Sequence, residues 1–319
     1  MSKINPPSLS VDSLLAEAGQ ALLRHYAQAL QAPDPDPKKS AVDERDQDNQ
    51  TPAPLSAKRI KKMRVAARRM RSILRIFEPY FKRKFSKTLL KPLREMATLA
   101  GQTRDLYLTI EAAQSYVLLC DDDGKQAMQP MIEDWQTQHN AAQAKLHAYV
   151  QSNGFRKWQT HLSATLASDV SNVARVWEVG EPSRLRHVLE AWLWQHLADV
   201  RAYDELPERP TPEQVHALRI AIKHLRYLIE ALWEVWPVRQ RAWLTRLHKQ
   251  CVAAQDAYGR LNDAHTHEVR VQNFIEDARQ RGQRIPLKGI RVYAAEQHRL
   301  VEEQIVTWRS YLTPIVKTP

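Results

Sequence analysis

The chain has 319 residues, 43% of them hydrophobic and 26% charged, with a net charge of +11. This size and apolar content allow one large or two small domains with a real core. Only eight glycines occur, and no G-x-G-x-x-G or G-x-x-x-x-G-K-[ST] pattern is present, which argues against a nucleotide-binding loop and a sheet-rich fold. The two cysteines, Cys120 and Cys251, form no C-x-x-C pair, so a disulfide framework is excluded and a reducing compartment is indicated.

The N-terminal segment lacks the apolar run of a signal peptide, and no apolar stretch approaches the length that spans a membrane. We therefore expect a cytoplasmic protein with no membrane partner.

The first half of the chain predicts helices separated by short breaks. Residues 1–9 are expected to form a tail, followed by a helix over 10–31. The proline-rich, polar stretch 32–57 predicts a flexible insertion. Further helices are predicted over 56–77 and 86–100. A break is predicted at Gly101–Asp105, followed by a helix through Cys120 and by helices over 125–152 and 155–178. Asp121–Gly124 is interpreted as an acidic turn, because Glu133 falls at the thirteenth position, where a calcium loop needs a glutamate at the twelfth.

The second half repeats this order after Pro182. Helices are predicted over 183–206, 212–236, 238–258, 263–281 and 288–312, with a second break at Gly259–Asp263. The tryptophans, such as Trp192, Trp194, Trp233 and Trp236, lie at helical spacing and are expected in the core.

The sequence of one basic helix occurs twice, at 60–74 and, 155 residues later, at 215–229. Arg64 and Arg71 are identical to Arg219 and Arg226 at this offset, and Arg68 corresponds to Lys223. A duplicated unit of this kind predicts two pseudo-symmetric halves.

The spacing places the cations of each copy on one face. At about 100° per residue, Arg64, Arg68, Arg71 and Arg75 cluster with Lys61 at their edge, opposite the apolar residues. In the second copy His216 takes the place of Lys61, and Glu230 takes the place of Arg75. A solvated face normally mixes charges, yet residues 58–75 contain no acid, so we favour an anion site over a solvated surface.

The positive charge is concentrated in one region. Residues 58–94 hold fifteen bases and one acid, Glu78, a net charge of +14 against +11 for the whole chain. Such a local field attracts a polyanion: nucleic acid, an anionic membrane or a phosphate polymer.

The two basic helices and the segments after them resemble the motifs of the CHAD family, the conserved histidine α-helical domain. The second motif reads Val-His-x-Leu-Arg-Ile-Ala-x-Lys-x-Leu-Arg-Tyr at 215–227, and the first reads Met-Arg-Val-Ala-x-Arg-Arg-Met-Arg-Ser at 63–72. Gly-x-Thr-Arg-Asp-Leu at 101–106 and Gly-x-Leu-Asn-Asp-Ala-His at 259–265 match the segments that follow. The likeness extends in order over about residues 10–312.

The resemblance implies an all-α fold of two pseudo-twofold related helical bundles around a central basic groove or pore that binds inorganic polyphosphate. We expect one domain over 10–316, with halves at 10–180 and 181–316, recruited to polyphosphate granules. The predicted binding residues are Lys61, Arg64, Arg68, Arg71, Arg75, Lys87, Lys91, Arg94, Arg104, His216, Arg219, Lys223, Arg226 and Lys249.

Two positions depart from the family pattern, and they bear on metal binding. Lys61 stands where the first motif has a histidine, and Val252 is the counterpart of Arg94. A lysine still serves an anion, but the missing histidine weakens a metal-chelating role for the family's histidines. His265 and His267 are two residues apart and point to different helix faces, so we expect no metal and no cofactor.

Three other functions are alternatives to polyphosphate binding. Nucleic-acid binding explains the charge, but the basic rows lack the aromatic residues that stack on single-stranded bases. Membrane binding needs exposed apolar groups beside the cations. Phosphoryl transfer needs clustered carboxylates, and Asp105 and Asp263 are expected to cap helices. The sequence therefore predicts a non-enzymatic polyphosphate-binding protein, with a general polyanion or nucleic-acid-binding protein as the alternative.

Overall fold

Every regular element in the described part of the chain is helical, as predicted. The structure is a computed structural model that describes residues 8–31, 56–282 and 287–317. Apart from Ser56 and Ala57, the predicted insertion 32–57 lies outside the described residues, as does most of the predicted tail 1–9. Within these ranges the helices are α1 (Leu15–Gln31), α2 (Ala57–Ile76), α3 (Arg83–Val117), α4 (Asp122–Gln151), α5 (Asn153–Ala167), α6 (Leu185–Arg201), α7 (Pro212–Ala231), α8 (Val238–Gln280) and α9 (Leu287–Val316).

The chain forms two compact units. Unit 1 contains the described residues up to Asp105 together with Gln138–Val188, and unit 2 contains Leu106–Thr137 and the described residues from Leu189 onward. The chain passes from one unit to the other within α3, α4 and α6. The domain bounds and the pseudo-twofold duplication inferred from the sequence stay predictions.

Two helices are longer than the sequence predicted. Gly101–Asp105 and Gly259–Asp263 were expected to break the chain, but they lie inside the continuous helices α3 and α8. A glycine inside a helix costs only about 1 kcal/mol relative to alanine. Burial of flanking residues such as Leu93, Met96 and Leu261 outweighs that cost. Asp105 and Asp263 therefore do not cap helices, and the prediction that they do was wrong.

Unit 1 is built around the packing of α1 against α2. Leu15, Leu22 and Leu23 of α1 are buried, and Gly19 approaches the buried rings of Phe77 and Phe81. The Arg24 Nε of α1 donates a hydrogen bond of 2.7 Å to the carbonyl oxygen of Leu166, at the end of α5. These contacts fix α2 with one face buried, which decides where its cations point.

Unit 2 has its core around α8 and α9. One cluster joins α3, α4, α8 and α9 through buried residues that include Ile110, Trp135, Val271 and Tyr293. Tyr258 donates a hydrogen bond of 2.8 Å to the carbonyl oxygen of Trp308, which ties α8 to α9. The first turn of α7 begins with a capping box, in which Thr211 and Gln214 each bind the other's backbone N–H.

The prediction that the tryptophans lie in the core holds for some of them. Trp236, Trp135 and Trp308 are buried, whereas the side chain of Trp194 is 45% exposed and packs against Trp243 at 5.9 Å between ring centroids. Of the cysteines, Cys251 is buried and Cys120 is half-buried, and both are free thiols.

Gly19 gives a test of the packing in unit 1. A Cβ added at Gly19 would lie 2.7 Å from Cζ of Phe81 and 2.9 Å from Cγ of Phe77, both buried. We expect Gly19→Ala to lower the free energy of unfolding by about 1–3 kcal/mol, because a packed core resists added volume. Urea unfolding followed by circular dichroism measures this. The matched control is Gly101→Ala, where nothing lies within 4 Å of the new Cβ and the change should stabilise the protein by up to about 1 kcal/mol. Equal effects at the two glycines would contradict this packing.

Candidate polyanion-binding site

Helix α2 carries the first basic row because its other face is buried. Ser56 caps the helix by accepting a hydrogen bond from the backbone N–H of Arg59. Met63, Met70 and Phe77 are among the apolar residues that fill the core on the buried side. The opposite side presents the five cations predicted from the sequence, Lys61, Arg64, Arg68, Arg71 and Arg75. Arg64 and Arg68 are half-buried, and the other three are exposed.

Arg59 belongs to the same basic stretch but has a structural role. Its side chain is only 7% exposed. The guanidinium donates hydrogen bonds to the carbonyl oxygens of Ala29, at 2.9 Å, and of Leu30. A cation at the last turn of α1 satisfies carbonyls that have no partner within the helix and favours the helix dipole. The high charge of residues 58–94 is therefore not all available to a ligand.

Helix α3 carries a second row of cations within unit 1. Lys87, Lys91 and Arg94 are exposed, and Arg104 is half-buried further along the same helix. Pro92 lies inside the helix without ending it. Because α3 continues through Gly101, all four cations belong to one rigid element.

The rows on α2 and α3 meet at two places. The guanidinium of Arg64 lies 3.9 Å from the carboxylate of Asp105, the neighbour of Arg104. Nearer the connection between the helices, the pKa of Arg71 is lowered by partial burial and by the like charge of Arg94. Because Arg64 lies near Asp105 and Arg71 lies near Arg94, α2 and α3 run antiparallel. Their basic rows therefore lie side by side.

The centre of this pair of rows holds cations without counter-charges. In the described part of the chain, no carboxylate forms an ion pair with Arg68, Arg71 or Arg94. Two arginines held close together repel each other, and a bound anion would relieve that repulsion. The surface formed by the five cations of α2 and the four of α3 is called the unit 1 rows below.

Helix α7 carries the corresponding row in unit 2. Val215, Leu218, Ile222 and Leu225 of this helix are buried. The predicted cations on the other side are the exposed His216 and the half-buried Arg219, Lys223 and Arg226. Lys249 is exposed on α8, and within the described ranges no hydrogen bond or ion pair joins it to α7.

Side chains and backbone of α8 hold the α7 row in place. Nδ1 of His216 lies 2.6 Å from Oδ1 of Asn262, and because a carbonyl oxygen only accepts, the ring nitrogen donates. Nε of Arg219 donates to the carbonyl oxygen of Gln255 at 3.5 Å, and the guanidinium lies beside Gly259. A Cβ added at residue 259 would lie 3.7 Å from the Arg219 guanidinium, an ordinary contact distance.

Arg226 is neutralised within the protein. Its Nε donates to Oε1 of Glu230 at 2.7 Å, and its Nη1 donates to Oε1 of Gln255 at 2.7 Å. The same Oε1 of Glu230 lies 2.8 Å from Nε2 of His248 on α8. Burial raises the pKa of the neighbouring Cys251 thiol to about 12, while Arg226 acts to lower it and Glu230 to raise it.

This network of Glu230, His248 and Gln255 was missed by the sequence analysis. The spacing of Arg226 and Glu230, four residues apart, is a signal for a helical ion pair. His248 and Gln255 gave no signal, because their approach depends on how α8 packs against α7.

Two features are absent from the described residues. No group of three or more His, Cys, Asp or Glu side chains there could hold a metal ion. None of the described helices is long and apolar enough to cross a membrane.

Comparison with known proteins identifies the family. The family profile described as CHAD domain matches residues 47–272, more than half of the chain. The chain belongs to the CHAD domain family. The crystal structure of the CHAD domain from the plant Ricinus communis is similar, with a TM-score of 0.68 at 17% identity, covering 97% of this chain and 95% of that one.

A second solved structure has a similar fold. PptA from Streptomyces chartreusis matches with a TM-score of 0.68 at 15% identity, over 94% of this chain and 100% of that one. At these identities the likeness shows the fold alone. A comparison with curated proteins found no match. The family and the all-α fold predicted from the motifs are confirmed, whereas the arrangement of the basic rows around one central groove stays a prediction.

Arg59 provides a test that separates structural from ligand-binding cations. We expect Arg59→Met to lower the free energy of unfolding by about 2 kcal/mol, since hydrogen bonds from a buried charged group are lost. Thermal and urea unfolding measure this loss. Polyphosphate affinity of the folded variant, measured by titration, should stay unchanged. The control is Lys58→Met, an exposed neighbour, whose effect on stability should remain within about 0.5 kcal/mol. An equal effect of both variants on stability would overturn the structural role of Arg59.

Proposed function

We propose that this CHAD domain protein binds inorganic polyphosphate without chemically altering it, mainly through the unit 1 rows. The observation that carries the proposal is the closeness of Arg71 and Arg94, two like charges with no ion-paired carboxylate in the described part of the chain. Holding them together costs free energy that an anion between or above them would recover. The family is associated with polyphosphate-related proteins, which supports this choice of anion.

The length of the rows suits a linear polymer better than a single phosphate. From Lys61 to Arg75 the α2 row covers about 21 Å, at about 1.5 Å of rise per residue. The cations of α3 run beside it in the opposite direction. Arginine forms forked, charge-assisted hydrogen bonds to phosphate oxygens, and lysine adds mobile point charges. A chain of phosphates can contact many of these groups at once.

The carboxylates near the rows support binding rather than catalysis. Asp105 lies 3.9 Å from Arg64, and Glu230 accepts from Arg226 and lies within hydrogen-bonding distance of His248. Phosphoryl transfer needs carboxylates that hold Mg²⁺ or orient a nucleophile, and these two face cations of the protein instead. We extend the proposal to a cytoplasmic protein recruited to polyphosphate granules.

The arginine pair at the centre of the unit 1 rows is the first target for mutation. Arg71→Gln and Arg94→Gln should each weaken binding of long-chain polyphosphate by about 1.5–3 kcal/mol, tenfold or more, because each removes charge-assisted hydrogen bonds. The slope of log affinity against log salt should also fall by roughly 0.7 per arginine removed, since fewer counterions are released. Isothermal titration at several salt concentrations measures both quantities.

A control with the same change in net charge is available in unit 1. Arg156 and Lys157 are exposed on α5, away from α2 and α3 in the sequence. The double variant Arg156→Gln/Lys157→Gln should reduce affinity by less than threefold. If it weakens binding as much as Arg71→Gln/Arg94→Gln, net charge rather than the unit 1 rows determines affinity.

Competition with DNA tests the choice of polyanion. Purified protein at about 0.15 M salt is titrated with long-chain polyphosphate in the presence of single- or double-stranded DNA. We expect DNA at equal phosphate concentration to displace little polyphosphate, because the rows offer few aromatic faces for bases. The same samples with Mg²⁺ should release no inorganic phosphate. DNA binding of equal strength would favour a general polyanion-binding protein, and steady release of phosphate would show an enzyme.

A further inference from the structure

Arg71 and Arg226 stand at equivalent positions of the repeated sequence but in different surroundings. Four residues further along the helix, Arg71 is followed by Arg75 and Arg226 by Glu230. Across from Arg71 lies the cation Arg94, whose sequence counterpart in unit 2 is Val252. The same arginine therefore sits among cations in unit 1 and beside a carboxylate in unit 2.

The carboxylate in unit 2 is firmly positioned. The side chain of Glu230 is only 16% exposed, and its Oε1 lies 2.7 Å from Nε of Arg226 and 2.8 Å from Nε2 of His248. Gln255 takes a second hydrogen bond from the Arg226 guanidinium. A short carboxylate–guanidinium hydrogen bond that is shielded from water is stronger than an exposed one.

This arrangement opposes an incoming phosphate in two ways. A phosphate oxygen that used Nε of Arg226 would have to replace the Glu230 carboxylate, leaving that half-buried charge without the arginine. A phosphate that approached without replacing it would meet a like charge at short range. Neither cost exists at Arg71.

We propose that Glu230 is a built-in counter-anion that occupies Arg226 and sets the affinity of unit 2 for polyphosphate below that of unit 1. The inference rests on the proposed polyphosphate binding and assigns its strong site to the unit 1 rows. Unit 2 contributes a weaker contact through His216, Arg219 and Lys223. Glu230 is thus a residue that determines affinity without touching the ligand.

The direct test neutralises the carboxylate while keeping its shape. Glu230→Gln should raise the affinity for long-chain polyphosphate about three- to tenfold, since Arg226 becomes available and a repelling charge is removed. The matched control is Glu234→Gln, which makes the same change in net charge at an exposed position of unit 2. That control should change affinity by less than twofold. Equal gains in both variants would overturn the inference, because they would follow from net charge alone.

A comparison of the two equivalent arginines tests the inference without altering Glu230. Arg71→Gln should cost tenfold or more in affinity, and Arg226→Gln less than threefold. In the Glu230→Gln background, Arg226→Gln should abolish the gain, and this double-mutant cycle isolates the coupling between the two residues. Equal losses for Arg71→Gln and Arg226→Gln in the otherwise native protein would overturn the inference.

Hydrogen exchange on the unmodified protein provides a measurement that does not depend on any variant folding. Saturating polyphosphate should slow amide exchange more in α2 and the first part of α3 than in α7 and α8. The reverse pattern would overturn the inference. If the unmodified protein does not bind polyphosphate at all in the titration, the proposed function itself fails. If it binds but the two units behave alike, only the role of Glu230 fails.

Discussion

The burial of one face of α2 is the constraint on which the candidate site depends. Once Met63, Met70 and Phe77 are packed into unit 1, the helical period leaves no choice for the cations between them. Arg64, Arg68, Arg71 and Arg75 therefore share the opposite face, and the stability of the core offsets their mutual repulsion. The close approach of α1, allowed by Gly19, helps to fix this orientation. On the proposed function, hydrophobic packing thus arranges the cations for a polyanion before it binds.

The two units show how one residue can change the use of a repeated surface. Both α2 and α7 place an arginine at the same point of their basic row. Four residues after that arginine, α2 has a second arginine and α7 has a glutamate. The two equivalent arginines therefore have opposite electrostatic surroundings. From α8, His248 lies within hydrogen-bonding distance of this glutamate and Gln255 accepts a hydrogen bond from Arg226, so both partners of the ion pair are held. On the proposed function, the two copies of the repeated helix therefore differ in affinity, because one arginine already has a charged partner and the other does not.

The basic residues of the chain also divide by burial into two kinds. Arg59 is buried and donates to the carbonyls that end α1, so its charge stabilises the fold. Arg71, twelve residues later, is exposed and faces another cation. Both lie in the same strongly charged stretch, and composition cannot distinguish them. What separates them is whether an acceptor lies within reach among the described residues.

The sequence by itself determined the family, the all-α fold and the faces of the two basic helices, because helical period and motif spacing are local properties. The predicted starts of those helices, at residues 56 and 212, also agree with α2 and α7 to within one residue. Only the tertiary structure decided that Gly101 and Gly259 lie inside long helices, since packing on either side outweighs the weak helical preference of glycine. It alone brought Arg94 to Arg71 and His248 to Glu230. Those pairings join residues that are 18 or more positions apart, and contacts at that range are set by the packing of whole helices, which no local pattern records.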